Sequence, residues 1–224
     1  MIGRFGDAEV FSFHATKFIN GFEGGAVTTN DDDLAKKMRY MRNFGFSGYD
    51  NVEYIGTNGK MTEISAAMGI TSLESLDEIV AMNRQNYNLY AQLLDDLPGV
   101  TLFKYDYTEK CNYQYIVLEI DEQITGISRD DIVQILHAEN VLARRYFYPG
   151  CHQMEPYRSY FPHAGLLLPR TALLITRVMS LPTGTAVTSE EIEKLCDICR
   201  YVLTHGEIIQ NQLRARYSSS SIPM

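Results

Sequence analysis

The stretch VFSFHATKFINGFEGGAVTTN, Val10–Asn30, sets a single lysine between an aromatic, β-branched run and a glycine pair. Residues 7–13, DAEVFSF, read as a short buried strand behind a turn signal, and GGAVTTN reads as a second strand. Lys17 therefore stands in the connection just beyond a strand. Partial desolvation of an amine in such a place favours its neutral form, which attacks carbonyl carbon. Ser12, within the first strand, offers a hydroxyl to a phosphate, and Gly24-Gly25 lets backbone approach a ligand closely. A solvated lysine in a hairpin-like loop is the competing reading, and these residues alone leave both open.

Outward from this stretch, Asn30 is expected to cap a helix. Asp31, Asp32 and Asp33 fill its first turn, and Lys36, Lys37, Arg39 and Arg42 follow toward its end. That order complements the helix dipole and accounts for the acidic triplet without a metal. NFGFSGYDNVEYIGTNGK, residues 43–60, is a Gly/Asn-rich loop of about eighteen residues, a length associated with function. From Met61 a helical pattern runs through Ile64, Ala67, Met68, Leu76, Ile79, Val80, Tyr87, Tyr90 and Leu94, and Pro98-Gly99 stops it. Its length predicts a kink or break.

Composition and period then change. VTLFKYD and YQYIVLEID alternate like strands, and Ser128–Asn140 is a helix with Ser128 as N-cap. VLARRYFYP reads as a third strand, Pro169–Val178 as a short helix and VMSLP as a short strand. Thr188-x-x-Glu191 is a capping box opening a last helix through Leu203, and the tail RYSSSSIPM is expected to fray. The chain divides near residue 98. Residues 1–98 hold two strands and two helices around the loop, and residues 99–224 form a compact α+β domain. Two strands are too few for a self-sufficient covered sheet, so the first part reads as incomplete.

The chain has 224 residues and a formal net charge of -8, with no Lys/Arg-rich run, which argues against a nucleic-acid partner. No apolar run reaches membrane-spanning length and the first residues lack signal-peptide architecture, so a cytoplasmic address is expected. Cys111 and Cys151 stand alone; Cys196 and Cys199 form a C-x-x-C within a helical pattern. Without a second pair nearby they read as reduced structural thiols, and no metal site is expected.

Several blocks in order resolve the two readings of Lys17. FSFHATKFINGFEGG resembles the lysine motif of the DegT/DnrJ/EryC1/StrS family of sugar aminotransferases. GTNGKMTEISAAMGITSLESLDEIVAMNRQNYNLYAQLL is similar to the block that follows it there. YFYPGCHQMEPY resembles a later Tyr/Pro/His segment, and VMSLPTGTAVTSEEIEKLCDICRYVL the C-terminal strand and helix. The resemblance covers nearly the whole chain. It implies pyridoxal phosphate as cofactor and an α/β architecture, the aspartate-aminotransferase (type I) fold. Only the C-terminal half is expected here, the end of the large-domain sheet plus the small α+β domain.

By this resemblance Lys17 matches the lysine that forms the internal aldimine and then moves a proton between substrate and cofactor. Ser12 matches a residue bonding the cofactor phosphate, and Asn58 an asparagine reaching that phosphate from the partner subunit. Lys60 stands where a cation faces the nucleotide-sugar diphosphate. His152, Tyr146 and Tyr148 lie in a segment lining the sugar pocket. The implied substrates are a dTDP-linked keto-6-deoxyhexose and glutamate, in a homodimer with shared active sites. The family's upstream half, with its phosphate cradle, stacking aromatic and pyridine-binding Asp, has no counterpart in these residues. A separate chain supplying that half is one expectation; a non-catalytic subunit or remnant that folds only with a partner is the alternative. Related dehydratases replace the lysine by histidine, so Lys17 speaks against that chemistry.

Overall fold

β1 (Glu9–Ser12) and β2 (Gly25–Thr28) pair antiparallel, Glu9 opposite Thr28 and Ser12 opposite Gly25. This computed structural model describes residues 5–220, with side chains through Ala215. The pairing needs a glycine at 25, because a Cβ there would lie 2.6 Å from the Phe11 carbonyl oxygen. The sequence predicts a buried strand over 7–13; the structure pairs only four residues, and Val10 is 78% exposed. A two-stranded sheet gives that side chain nothing to pack against.

α1 (Asp32–Met41) is capped by Asp31 rather than by the expected Asn30. The Asp31 carboxylate accepts the Leu34 N–H at 2.9 Å, while Thr29 Oγ1 accepts the Asp31 N–H at 3.1 Å and delays helix entry by a residue. The long helical pattern starts at Glu63 rather than Met61, behind the cap residue Thr62, and it breaks at Ser75. Its halves are α2 (Glu63–Glu74) and α3 (Leu76–Leu94).

Two compact units result, Met1–Glu78 and Ile79–Met224. Tyr87, Tyr90 and Leu94 of α3 belong to the core of the second unit. The expected division near residue 98 counts that helix with the first part.

The second unit is built on an antiparallel sheet in the order β3-β4-β6-β5. Its strands are β3 (Val100–Leu102), β4 (Ile116–Ile120), β5 (Arg144–Arg145) and β6 (Val178–Leu181). Along β4, Ile116, Leu118 and Ile120 are buried, the period-two alternation of a strand with one covered face. They join one core with α3, α5 (Arg129–Ala138, after the short α4, Glu122–Thr125) and α9 (Ser189–Thr204). Between β5 and β6 run a 3-10 turn (Cys151–Gln153), α6 (Tyr157–Tyr160), α7 (Ala164–Leu167) and α8 (Pro169–Arg177).

Local capping chemistry holds as the sequence predicts. Ser128 Oγ accepts the Asp131 N–H at 3.1 Å, and Thr188 with Glu191 forms a complete capping box. The strand predicted over VLARRYFYP shrinks to Arg144–Arg145. Phe147 takes a left-handed φ of 50°, and Pro149 has no N–H to give a ladder. The tail expected to fray instead continues α10 (Gly206–Ser220); Ser221–Met224 lie outside the described residues. Gly206 admits this turn, since a Cβ there would sit 1.9 Å from the Thr125 carbonyl oxygen.

Arg129 is 2% exposed and ties three elements together. Its guanidinium donates to the Ile175 carbonyl at 2.9 Å, to the Val178 carbonyl and to the Asp130 carboxylate at 2.7 Å. Arg129→Met keeps the apolar stem but strands two carbonyls, and is expected to cost about 2–4 kcal/mol in a urea titration. An unchanged midpoint would contradict that account.

Cys196 and Cys199 are buried and free, and burial pushes both thiols up from 9.0 to about 12. The unfolded chain therefore loses these protons first. Their contribution to stability is full below pH 9.0 and declines as pH rises from there to about 12. Alkylation near neutral pH is expected to label exposed Cys151 in the folded chain and to reach Cys196 and Cys199 only on unfolding. Mass spectrometry across a denaturant series reads the difference.

Candidate functional site

The loop that carries Lys17 is closed at its base. Phe13 N–H donates to the Gly24 carbonyl and Gly21 N–H to the Phe13 carbonyl, both at 2.9 Å. Within the loop, Lys17 N–H donates to the His14 carbonyl at 2.9 Å, which makes HATK a tight turn. The Lys17 side chain is exposed, and its Nζ makes no hydrogen bond or ion pair among the described residues. Ser12 Oγ accepts the His14 N–H at 3.4 Å, leaving its own O–H to donate outward. His14 Nδ1 accepts the Thr16 N–H at 3.2 Å, so its Nε2 carries the proton and faces Glu23 Oε1 at 3.6 Å.

Two glycines press this loop onto its neighbours. A Cβ at Gly21 would lie 2.7 Å from the Ser65 carbonyl oxygen of α2. Gly24, at φ +136°, would place one 2.9 Å from Met61 Cε.

The second loop, residues 43–60, folds back along its own entry. Phe44 N–H donates to the Thr57 carbonyl at 3.0 Å, Thr57 N–H to Met41 at 2.8 Å and Gly59 N–H to Arg42 at 2.8 Å. Asn58 sits in this seam opposite Asn43, with its side chain exposed. Lys60 Nζ donates to Asn43 Oδ1 at 3.0 Å and lies 4.5 Å from the Phe44 ring centroid. The cation is thus anchored by one bond and one ring face, with further N–H groups to spare.

In the second unit, Tyr146 meets Tyr115 edge-on at 5.5 Å and lines a groove of about 530 Å³ with Phe103, Tyr105, Tyr115 and Leu174. Burial raises its hydroxyl above the ordinary tyrosine value. The Tyr148 ring is flanked by Arg145 at 4.3 Å and Arg129 at 5.5 Å. Neither tyrosine lies in a strand. His152 is half-buried in the 3-10 turn, and its buried Nε2 lacks a partner among the described residues. A Cβ at Gly150 would lie 2.9 Å from His152 Cε1, so the backbone packs close to the imidazole.

Ser12 therefore ends the strand that leads into the Lys17 loop, with Asn58 and Lys60 in the second loop of the same unit; His152 and Tyr148 belong to the other unit. Asn20, Gly21 and Ser72 escape sequence reasoning. Asn20-Gly21 signals a turn, but the Ser72 hydroxyl that bonds the Asn20 carbonyl lies on a helix far along the chain.

A family model described as the DegT/DnrJ/EryC1/StrS aminotransferase family matches residues 1–200. A dTDP-4-amino-4,6-dideoxy-D-glucose transaminase of Shigella dysenteriae is 31% identical over 199 residues, 89% of this chain and 53% of that protein. A GDP-perosamine synthase of Caulobacter vibrioides is 32% identical over 86% of this chain and 52% of its own length. Among solved structures, DesI in the presence of its TDP-sugar product matches with TM-score 0.86 at 49% identity, covering 95% of this chain and 53% of that one. PseC of Helicobacter pylori, an aminotransferase involved in the biosynthesis of pseudoaminic acid, gives TM-score 0.78 at 27% identity, over 88% and 53%. The chain spans about half the length of the relatives it matches. Over that half, its α/β fold is the fold of pyridoxal-phosphate-dependent sugar aminotransferases.

Gly45 is decisive for the second loop. It has φ +86°, and a Cβ there would lie 1.7 Å from the Tyr54 carbonyl oxygen. Gly45→Ala is expected to open the seam at a cost of about 2 kcal/mol or more. Limited proteolysis reads this as new cleavage within residues 43–60; an unchanged digestion pattern would refute it.

Proposed function

The chain belongs to the DegT/DnrJ/EryC1/StrS aminotransferase family, and we propose that it carries the lysine-bearing half of a nucleotide-sugar aminotransferase using pyridoxal phosphate. The observation that carries this reading is Lys17, an exposed and unengaged amine in a loop closed at its base. The residues around it fit the cofactor. Lys17 offers an amine for the aldehyde, Ser12 a hydroxyl donor for the phosphate, and Gly24-Gly25 backbone without side chains.

Bound pyridoxal phosphate supplies an electron sink for the substrate carbon that bears nitrogen. Lys17 Nζ would hold the cofactor through its aldehyde carbon. Its free amine would take the proton from the substrate carbon and give it back. Ser12 Oγ donates to the phosphate, and Asn58 reaches the phosphate of the other subunit's site in a homodimer. Lys60, steadied by Asn43 and Phe44, directs its spare N–H groups to the nucleotide diphosphate. His152 Nε2, lacking a partner, takes a sugar hydroxyl as one, and Tyr148 contributes its phenol to the same pocket.

The sugar substrate is a dTDP-linked keto-6-deoxyhexose and the amino donor glutamate. The product is an amino-deoxy sugar nucleotide for polysaccharide or deoxyamino-sugar biosynthesis in the cytoplasm. The dTDP-sugar transaminase of Shigella dysenteriae and the TDP-sugar product of DesI support the nucleotide. A second reading, a non-catalytic subunit that folds only with its partner, is favoured by the exposed Val10, Val27, Ile64 and Ile70 of the first unit.

The test combines this chain with a polypeptide carrying the upstream half of a relative, adds pyridoxal phosphate, reduces with borohydride and maps the peptides. A pyridoxyl adduct on Lys17 is expected, and Lys17→Ala is expected to lower transamination about 10²–10⁴-fold. An adduct on other lysines alone would sink the assignment. No cofactor absorbance even with the upstream polypeptide present would favour the second reading.

A further inference from the structure

Nothing in the chemistry assigned so far explains how the Lys17 backbone is held on its C-terminal side. The Lys17 carbonyl accepts the Asn20 amide Nδ2 at 3.4 Å. The same side chain uses Oδ1 to accept the Phe22 N–H at 3.4 Å, and Phe22 sits at φ 64°, a conformation that needs local support. The Asn20 carbonyl in turn accepts Ser72 Oγ at 3.0 Å. Ser72 is 6% exposed on α2, and Ile19, next to Asn20 in the chain, is 8% exposed. Asn20 is thus a node: one amide group grips the lysine and the far side of its loop, and its backbone is pinned to a buried hydroxyl of the helix.

We infer that Asn20 is a positioning residue for Lys17, with Ser72 transmitting the position of α2 to the lysine loop. The inference rests on the reading of Lys17 as the cofactor lysine. The physical argument is one of direction. The Lys17 N–H is fixed to His14 and its carbonyl to Asn20, so the Cα–Cβ bond points one way and the amine sweeps a restricted cone. Removing the Asn20 amide frees the carbonyl side, and a misplaced reacting group loses rate rather than substrate affinity.

The experiment uses the chain assembled with the upstream-half polypeptide and measures kcat and KM for Asn20→Ala and Ser72→Ala. Asn20→Ala is expected to lower kcat about tenfold or more, with KM for the sugar nucleotide unchanged within about twofold. Ser72→Ala is expected to move kcat in the same direction by less, and it carries the test should Asn20→Ala fail to fold. In parallel, amide hydrogen exchange at Phe22 is expected to speed up in Asn20→Ala, whose alanine offers no acceptor. Unchanged kcat in both variants, or a rise in KM alone, overturns the inference while a Lys17 adduct in the unsubstituted enzyme keeps the reading of Lys17 intact. A missing Lys17 adduct in the unsubstituted enzyme overturns both.

Discussion

Backbone touches backbone where Gly21 lies against Ser65, Gly25 against Phe11, Gly45 against Tyr54 and Gly56 against Met41. Those contacts leave no room for a side chain, and both loops of the first unit depend on them. The 13–24 loop owes its closed base and its seat on α2 to Gly25 and Gly21. The 43–60 loop doubles back along α1 because Gly45 and Gly56 let the strands of the seam meet. Loops of this length are usually loose. These two are held by main-chain contacts, which set the backbone beneath Lys17, Asn58 and Lys60; at Lys60 the side chains of Asn43 and Phe44 add to that hold.

The second unit follows a different logic. Its order comes from one apolar core beneath a four-stranded sheet, with α3, α5 and α9 on the covered face. Most polar groups inside it are answered: Tyr87 and Tyr90 hydroxyls reach the Phe103 and Pro182 carbonyls at 3.1 and 2.8 Å, and Arg129 serves two more, while Asn83 Oδ1 and His152 Nε2 are buried without a partner among the described residues. Arg129 also flanks the Tyr148 ring, so the buried cation that joins helix to sheet braces the segment leading to His152.

Local chemistry was the part of this fold legible in the sequence. Ser128 and Thr188 with Glu191 cap their helices through atoms a few residues away, and the α2–α3 break follows from length alone. Errors arose where competing local signals were near-equal or where a distant partner decided. Asn30 and Asp31 are both good caps, and Thr29 tipped the choice. VLARRYFYP has strand propensity, but Phe147 and Pro149 turn it away from the ladder. Val10 reads as buried because its pattern fits a covered strand, while nothing among the described residues covers it. The neighbours of Lys17 fit a surface lysine as well as a reacting one, and its reading as the cofactor lysine rests on the order of several blocks along the chain. The Ser72 bond to Asn20 has no local signature at all.

The hairpin of β1 and β2 has consequences for how this polypeptide must be handled by the cell. In a two-stranded sheet each strand keeps one edge of unpaired N–H and C=O groups, and here Val10 and Val27 add exposed apolar surface beside them. α2 in the same unit also leaves Ile64, Ile70 and Leu73 exposed. Such an edge accepts any extended segment that reaches it, including the hairpin of a second copy. An edge left in this form is a template for mispairing, which is why sheets elsewhere cover, shorten or charge their edges, and the exposed Val10 and Val27 add to the liability here.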